Sequence, residues 1–128
     1  MSIDINNKIA LVTGANRGIG KAIVESFIQH GAKKVYLAIR DIKSTKDLVA
    51  KFGHQVVPLY TDLSVPESIE SAAKTASDVN VVVNNAGILK LADPLNDDVE
   101  ELFNQELTIN TFGLIRMAKA FIPVLEKN

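Results

Sequence analysis

The stretch that decides the fold is Lys8-Ile9-Ala10-Leu11-Val12-Thr13-Gly14-Ala15-Asn16-Arg17-Gly18-Ile19-Gly20. Its first six residues form an apolar, β-branched run typical of a buried strand, and a helical pattern follows. Three glycines let the backbone turn tightly and approach a ligand closely. Because the helix behind them directs free N–H groups and a partial positive charge at the turn, the stretch predicts a phosphate-binding loop. The alternative is a tight turn whose glycines serve packing alone.

A Walker-type loop for nucleoside triphosphates is excluded by two positions. Its first glycine would fall on Ala15, and Ala22 stands where a serine or threonine would follow Lys21. The glycines stand at offsets 0, 4 and 6 between a strand and a helix, which is the right context for a loop that cradles a phosphate.

Three further β-branched runs, at residues 34–39, 56–60 and 79–83, alternate with helical patterns. Each run is nearly continuous in apolar character, as expected for parallel strands that are covered on both faces. The alternation predicts an α/β fold, a doubly wound parallel sheet of four strands with right-handed crossovers. Pro58 cannot donate to a β-ladder, so we expect the third strand at an edge or with its proline at an unpaired position.

Capping residues mark the ends of the predicted helices. Gly31 ends the first helix, and Ser44 or Thr45 can cap a short second helix that runs to Phe52 and is terminated by Gly53. Ser64-Val65-Pro66-Glu67 has the pattern of a capping box with proline in the first turn, and it predicts a third helix to about residue 76.

The composition limits the class of protein. The 128 residues fit one domain (1–128), and 47% apolar with 23% charged residues is ordinary for a globular protein. A net charge of −1 gives no indication of binding to nucleic acid or to an anionic membrane surface. The absence of cysteine fits a reducing compartment, and we expect no metal site. Without a signal-peptide pattern or an apolar run near the ~20 residues that span a bilayer, we expect a cytoplasmic protein.

The residues after the second strand bear on the choice of nucleotide. Dinucleotide folds usually place an acid there, which accepts from the adenosine ribose hydroxyls. Here Arg40 follows the strand directly, Asp41 comes next, and Arg17 of the glycine loop could converge on the same place. Guanidinium groups bind a ribose 2′-phosphate through hydrogen bonds worth about 1.5–3 kcal/mol each. We therefore expect NADP in preference to NAD; the alternative is that Arg40 and Asp41 are solvated surface charges.

Two further motifs follow the third and fourth strands. Asp62 can accept from an adenine amino group, or it can serve the next helix as a turn or cap carboxylate. Asn84-Asn85-Ala86-Gly87 falls at the carboxyl side of the sheet, where ligands bind in open α/β folds. Its small residues can let a ring pass over the loop, whereas a plain turn is the alternative.

Taken in register, these motifs resemble the amino-terminal half of the short-chain dehydrogenase/reductase family. The resemblance rests on Thr13-Gly14-x-x-x-Gly18-x-Gly20, Asp62-Leu63, Asn84-Asn85-Ala86-Gly87 and Asn110. It implies a Rossmann-like sheet in the order 3-2-1-4 and hydride transfer between NADP(H) and a carbonyl compound or secondary alcohol.

The resemblance also implies which residues form the site. The cofactor residues are Gly14, Asn16, Arg17, Gly18, Ile19 and Gly20 for the pyrophosphate, Arg40 for NADP preference, Asp62 and Leu63 for the adenine, and Asn85, Ala86 and Gly87 for the adenosine ribose. Asn110 matches the helix-borne asparagine of the family's catalytic tetrad, which helps to position a water in the proton relay.

The serine, tyrosine and lysine of that tetrad have no counterparts here. In the family the tyrosine gives a proton to the carbonyl oxygen, and a lysine follows it by four residues. This chain has only Tyr36 and Tyr60, which are followed at that distance by Arg40 and Ser64, and both tyrosines fall on predicted strands. The family's serine follows a fifth strand, beyond residue 128. We therefore expect a truncated half that does not turn over on its own, because losing one general acid already removes about 10²–10⁴ in rate.

A long fourth helix is predicted from Asn96 or Asp97 to about Lys127, with Gly113 at a bend or a close contact. Its apolar residues are more than four strands can cover: Leu107, Leu114, Ile115, Ala118, Phe121, Ile122 and Leu125. In the implied strand order, the run 79–83 is also an open edge. We expect a homo-oligomer that forms through this helix or this edge.

Three hypotheses about function remain open at the level of sequence. The chain is the amino-terminal half of an NADP-dependent oxidoreductase with a small carbonyl or alcohol substrate, or a non-catalytic module that binds NADP, or an assembly subunit. In the second and third, the nucleotide motifs carry no chemistry.

Overall fold

The computed structural model describes residues 4–87, 95 and 97–128. Its strands are β1 (Ile9–Thr13), β2 (Lys34–Ile39), β3 (Val56–Tyr60) and β4 (Val81–Val83). They form a parallel sheet in the order β3-β2-β1-β4. The predicted α/β class and the implied strand order are confirmed. The fourth strand is shorter than its apolar run because Asn80 interrupts it: its side-chain oxygen accepts from the Ile9 N–H at 2.9 Å.

The helices lie between the strands along the chain. They are α1 (Gly18–Gln29), α2 (Lys46–Phe52), α3 (Pro66–Thr75), α4 (Val99–Leu107) and α5 (Gly113–Lys127). Short 3-10 turns at Ile42–Thr45 and Gly53–Gln55 flank α2, and a π-helical turn at Thr108–Phe112 joins α4 to α5. The long helix predicted from residue 96 or 97 begins at Val99 and stays helical to Lys127, with the π-helical turn directly before Gly113. Residue 96 lies outside the described residues.

Both faces of the sheet are buried, which explains why its strands are continuously apolar. One face packs against α1 and α2, and its core contains Val12, Val24, Leu37, Ile39 and Leu48. The other face packs against α3 and α5, and its core contains Leu11, Ala38, Ile69, Met117 and Phe121. Parallel strands covered on both sides need apolar residues at nearly every position.

The edges of the sheet also follow from the sequence. Pro58 lies in β3, which is an edge strand, as its missing N–H predicted. At the opposite edge, β4 pairs with β1, and no second partner strand for β4 is found among the described residues. The carboxyl ends of the strands meet at one side of this sheet and bring the predicted site motifs together.

The predicted capping box at Ser64 is wrong. The residue before α3 is Val65, and no side chain caps that helix, although Pro66 does occupy its first turn. The Ser64 hydroxyl instead donates to Asp62 Oδ1 at 2.6 Å, and the Ser64 N–H donates to the same oxygen at 2.9 Å. The Asp62 carboxylate, two residues earlier, takes these hydrogen bonds, so the Ser64 hydroxyl does not cap α3.

At the second helix, the predicted boundaries hold but the cap does not. The residue before α2 is Thr45, and the helix ends at Phe52 as expected. The Thr45 hydroxyl does not cap the helix, because it donates to the Ile42 carbonyl oxygen at 2.7 Å.

Gly113 marks a close contact between α5 and the loop after β3. A Cβ at this position would lie 2.9 Å from Cβ of Leu63 and 3.3 Å from the Thr108 carbonyl oxygen. Any larger residue would push the helix away from Leu63, which is buried. The glycine thus fixes the distance between the helix and one of the predicted cofactor residues.

Candidate functional site

The loop after β1 and the loop after β4 are joined by one buried hydroxyl. Thr13 Oγ1 accepts from the backbone N–H groups of Asn85 and Ala86, each at 2.9 Å, and donates to the Val83 carbonyl oxygen at 3.4 Å. Thr13 is 2% exposed. In the sequence, this threonine was identified only as the first residue of the glycine motif. Its structural role could have been inferred from the position of a hydroxyl residue at the end of a strand, directly before a glycine loop.

The side chain of Asn85 makes a second connection between the loop after β4 and the loop after β1. Its amide nitrogen Nδ2 lies 3.3 Å from the Thr13 carbonyl oxygen and 3.4 Å from that of Gly14, and it donates to both. A Cβ on Gly14 would lie 3.0 Å from Cα of Ala86. The structure therefore brings together two predicted motifs that are about 70 residues apart in sequence.

Backbone conformation or close packing requires glycine at each of the three positions of the loop. Gly14 adopts a φ of +63° and Gly18 a φ of +57°, in the left-handed region that disfavours side chains. A Cβ on Gly20 would overlap the Gly14 carbonyl oxygen, so α1 could not pass so close to the loop. Around Gly18, by contrast, a Cβ would meet nothing within 4 Å. Gly18 therefore faces open space at the start of α1.

This open space is a suitable place for a pyrophosphate. The residue before α1 is Arg17, whose backbone is extended, and no side chain caps the helix. The first turn also contains no acidic residue. The N–H groups of a first helical turn have no acceptor within their own helix, so here they are available to an anion. Asn16 and the exposed Ile19 flank the same turn.

Arg40 and Asp41 follow β2 at the same side of the sheet, and both are exposed. Asp41 Oδ1 accepts from the Lys43 N–H at 3.1 Å and caps the 3-10 turn. Neither Arg17 nor Arg40 has an ion-pair partner within residues 4–87 and 97–128. One carboxylate oxygen of Asp41 is thus used in a turn, while both guanidinium groups are available to a ligand.

Asp62 and Leu63 have structural roles after β3. The carboxylate of Asp62 holds the turn to α3 through Ser64, which is the turn role that the sequence allowed. The Ser68 hydroxyl donates to the Asp62 carbonyl oxygen at 2.8 Å and fixes the same turn. Leu63 is packed beneath Gly113. The contribution of the two residues to an adenine site stays a prediction.

Asn110 lies in the π-helical turn and close to the loop after β4. Its Oδ1 would be 3.3 Å from a Cβ on Gly87. A pocket of about 60 Å³ opens here, lined by Thr13, Leu63, Asn84, Ala86, Ile109, Asn110 and Leu114. Turns of this kind are rare inside helices and occur frequently at functional sites. The predicted catalytic asparagine and the predicted cofactor loops therefore border one pocket.

The two tyrosines lie elsewhere. The Tyr36 hydroxyl donates to Asp78 Oδ1 at 2.8 Å and accepts from Lys34 Nζ at 3.0 Å, and Lys34 also forms an ion pair with Asp78 at 2.7 Å. Burial raises the pKa of Tyr36, which keeps its phenol protonated. Tyr60 ends β3, at the edge of the sheet opposite β4. Neither tyrosine lines the Asn110 pocket.

Two other kinds of site, metal centres and membrane spans, are absent from the described ranges. Residues 4–87, 95 and 97–128 contain no group of three or more His, Asp or Glu side chains that could hold a metal ion. In the same part of the chain, every helix is too short or too polar to cross a membrane.

Comparison with known proteins assigns the family. The model of the family described as short chain dehydrogenase matches residues 8–128. Oxidoreductase UcpA of Salmonella typhimurium is 34% identical over 128 residues, which cover 96% of this chain and 48% of that protein. The NADP-dependent 3-hydroxy acid dehydrogenase of Schizosaccharomyces pombe is 31% identical over 129 residues, which cover 94% of this chain and 49% of that protein.

Solved structures give the same result. A short chain dehydrogenase from Burkholderia cenocepacia J2315 in complex with NADP has a TM-score of 0.89 and 34% identity, covering 98% of this chain and 52% of that one. A 3-ketoacyl-(acyl-carrier-protein) reductase from Brucella melitensis complexed with NADH has a TM-score of 0.87 and 27% identity, covering 97% and 52%. This chain spans about half the length of the curated relatives it matches. With its strand order, its glycine loop and a family match over residues 8–128, the chain belongs to the short chain dehydrogenase family.

Proposed function

We propose that this chain binds the adenosine end of NADP at the carboxyl side of its sheet. In this proposal it is the amino-terminal half of an NADP-dependent oxidoreductase that transfers hydride between NADP(H) and a carbonyl compound or secondary alcohol. The observation that carries the proposal is the uncapped start of α1, where Gly18 faces open space.

The pyrophosphate would lie on the first turn of α1. Its N–H groups donate to the phosphate oxygens, and the partial positive charge of the helix terminus favours the anion. Gly14 and Gly20 let the loop and the helix approach each other, and Asn85 holds the Gly14 carbonyl away from the phosphates by donating to it. The family relatives that carry NADP or NADH in their names support a nicotinamide cofactor for this fold.

NADP is favoured over NAD by the residues after β2. Arg40 stands where an NAD-binding chain would place an acid, and it has no carboxylate partner within the described ranges. Asp41 Oδ1 accepts from the Lys43 N–H, so part of its accepting capacity serves a turn instead of a ribose diol. A guanidinium pairs with a phosphate through charge-assisted hydrogen bonds.

The remaining residues would line the cofactor site at its nicotinamide end and around its adenosine. The nicotinamide ring supplies or accepts the hydride. Asn110 borders the pocket beside Ala86 and would hold a water for proton transfer. Asp62 and Leu63 would flank the adenine, while Asn85, Ala86 and Gly87 would border its ribose.

On this proposal, the 128 residues bind nucleotide but do not turn over. Tyr36 is held by Lys34 and Asp78, and Tyr60 is on the opposite edge strand from β4, so neither can donate a proton beside Asn110. The general acid and the substrate site would then come from outside this chain.

We propose further that the protein is cytoplasmic and self-associates. Large apolar side chains of α4, the π-helical turn and α5 are about half exposed: Phe103, Phe112, Leu114, Ile115 and Ile122. This exposure favours an assembly role as the second candidate function. Sedimentation velocity over a wide concentration range tests it, because a monodisperse monomer throughout would contradict self-association.

The cofactor assignment is tested by Arg40→Asp. We expect this change to lower the affinity for NADPH by at least tenfold and to leave the affinity for NADH unchanged or improved. Lys51→Asp is a matched control, since Lys51 lies over the Phe52 ring at the end of α2, away from the glycine loop. An unchanged ratio of NADPH to NADH affinity in Arg40→Asp would overturn the assignment.

A further inference from the structure

Tyr60 is the last residue of β3, and its side chain is 46% exposed. Its partner in register on β2 is Ile39, which is 3% exposed and belongs to the core against α1 and α2. Directly paired residues face the same side of a sheet. Tyr60 therefore stands at the rim of this face, where the core ends and the carboxyl side of the sheet begins.

This position places Tyr60 at the end of the strand beside β2, which Arg40 follows. Arg40 follows Ile39 directly, and the Thr61 N–H donates to the Ile39 carbonyl oxygen at 2.9 Å, so β2 and β3 are still hydrogen-bonded where they end. Adjacent strands are about 4.8 Å apart. A nucleotide that extends from the start of α1 across the end of β2 would thus reach the end of β3 next.

The hydroxyl of Tyr60 has no hydrogen bond within the described ranges. Other polar side chains near the end of β2 are used locally. Asp41 Oδ1 accepts from the Lys43 N–H, the Ser44 hydroxyl donates to the Asp41 carbonyl oxygen at 2.5 Å, and the Thr45 hydroxyl donates to Ile42. The side-chain donors that remain near the end of β2 are therefore Arg40, Tyr60 and the ammonium group of Lys43.

We propose that Tyr60 donates a hydrogen bond to the ribose 2′-phosphate that Arg40 binds, and that it is a second determinant of NADP preference. The inference rests on the proposed function, since it needs a nucleotide in this orientation. A phosphate has three acceptor oxygens and extends beyond the ribose, so it can accept from a guanidinium and a phenol together. NAD has only a hydroxyl at this position and gives the phenol no such acceptor.

The competing explanation is that Tyr60 is a surface aromatic residue that covers the 3-10 turn before α2. In that case removal of its hydroxyl would change neither nucleotide affinity. The two explanations are separated by Tyr60→Phe, which keeps the ring and deletes only the donor. Tyr36→Phe is the matched control, because Tyr36 is the other of the two tyrosines and its hydroxyl is bound to Lys34 and Asp78.

The test is calorimetric titration of the wild-type chain and both variants with NADP⁺ and NAD⁺. We expect Tyr60→Phe to raise the Kd for NADP⁺ on the order of tenfold and to leave that for NAD⁺ unchanged. Tyr36→Phe is expected to change neither. If Tyr60→Phe keeps the wild-type ratio of the two affinities, the inference is wrong and the proposed function stands. If the wild-type chain binds neither nucleotide or shows no preference, the proposed function fails and the inference with it.

A second measurement uses the small number of tyrosines. With ring-labelled tyrosine, the chain has two tyrosine signals, which the two variants assign. We expect 2′-AMP to shift the Tyr60 signal and to leave that of Tyr36 in place, while 5′-AMP has a much smaller effect on both. Equal effects of 2′-AMP and 5′-AMP on Tyr60 would contradict a contact with the 2′-phosphate.

Discussion

The hydroxyl oxygen of Thr13 lies 2.9 Å from the backbone nitrogen of Asn85 and accepts its hydrogen bond. It accepts a second from the Ala86 N–H at the same distance. One side chain at the end of β1 thus holds the loop after β4, 72 residues away in sequence. Because both loops border the proposed nucleotide site, we expect the shape of the site to depend on this hydroxyl together with the Asn85 side chain.

Replacing Thr13 by valine tests this dependence. Valine keeps the shape but removes the acceptor of the partly buried Ala86 N–H and leaves the Asn85 N–H with only the Val83 carbonyl oxygen at 3.2 Å. An unsatisfied buried donor costs about 1–3 kcal/mol. We expect Thr13→Val to lower the free energy of unfolding by about 2 kcal/mol and to weaken NADP binding. Thr13→Ser retains the hydroxyl and should stay within about 1 kcal/mol of wild type. Equal stability of the two variants in urea would contradict this role.

Because Gly18 faces open space at the proposed nucleotide site, we expect a substitution there to reduce NADP affinity by more than its effect on stability explains. Gly18→Ala introduces a side chain at a φ of +57°, which costs roughly 1–2 kcal/mol, and its methyl group projects where the phosphate would lie. Gly53→Ala is the control, since Gly53 has a φ of +58° and equally open surroundings but follows α2. We expect both variants to lose stability and only Gly18→Ala to lose affinity for NADP. A similar loss of affinity in both would assign the effect to unfolding alone.

A methyl group at Gly113 should be destabilising, although alanine normally favours a helix. The substitution usually gains about 0.5–1 kcal/mol inside helices. Here its Cβ would lie 2.9 Å from that of Leu63 and would force α5 away from the loop after β3. We expect Gly113→Ala to lower the thermal midpoint by several degrees, which calorimetry measures. A stabilised variant would show that the helix moves freely at this contact.

The Lys34–Tyr36–Asp78 cluster predicts a loss of stability in acid. Burial is the largest influence on Asp78 and favours its protonated form, but the hydrogen bonds from Lys34 and Tyr36 lower its pKa below the ordinary value of 3.8. A carboxylate with a lowered pKa stabilises the fold above its unfolded pKa, and the contribution is lost as the pH falls through the folded value. Since the pair is partly exposed, its contribution is about 0.2–1 kcal/mol.

Urea denaturation of Asp78→Asn between pH 3 and pH 7 measures this contribution. We expect the variant to be less stable than wild type near neutral pH and the difference to shrink below about pH 4. Glu126→Gln is the control, because Glu126 is exposed and has no ion-pair partner among the described residues. A difference for Asp78→Asn that is constant over the whole range would exclude a role for its charge.

The general architecture could be predicted from local patterns. Continuous apolar runs gave the buried parallel strands, and Pro58 indicated the edge strand. The glycine spacing located the loop at the start of α1, and Gly53 marked the end of α2. These features depend on short segments and on backbone conformations that few residues adopt, so neighbouring residues in sequence determine them.

The remaining features depend on contacts that a local pattern does not contain. The capping box was wrong because Asp62 takes the hydrogen bonds of Ser64. Lys34 and Asp78 are 44 residues apart, and only the sheet brings them together. The π-helical turn that contains Asn110 ends directly before the close contact of Gly113 with Leu63, a packing contact that helix propensity does not reveal.

The most direct test of nucleotide binding is calorimetric titration of the wild-type chain with NADP⁺ and with NAD⁺ at the same ionic strength. If the carboxyl side of the sheet is a site for the adenosine end of NADP, NADP⁺ binds one per chain and at least tenfold more tightly than NAD⁺. Gly18→Ala, titrated in parallel, should abolish that binding while the chain stays folded. Absence of binding, equal affinity for the two nucleotides, or unchanged binding by folded Gly18→Ala would contradict the proposed site.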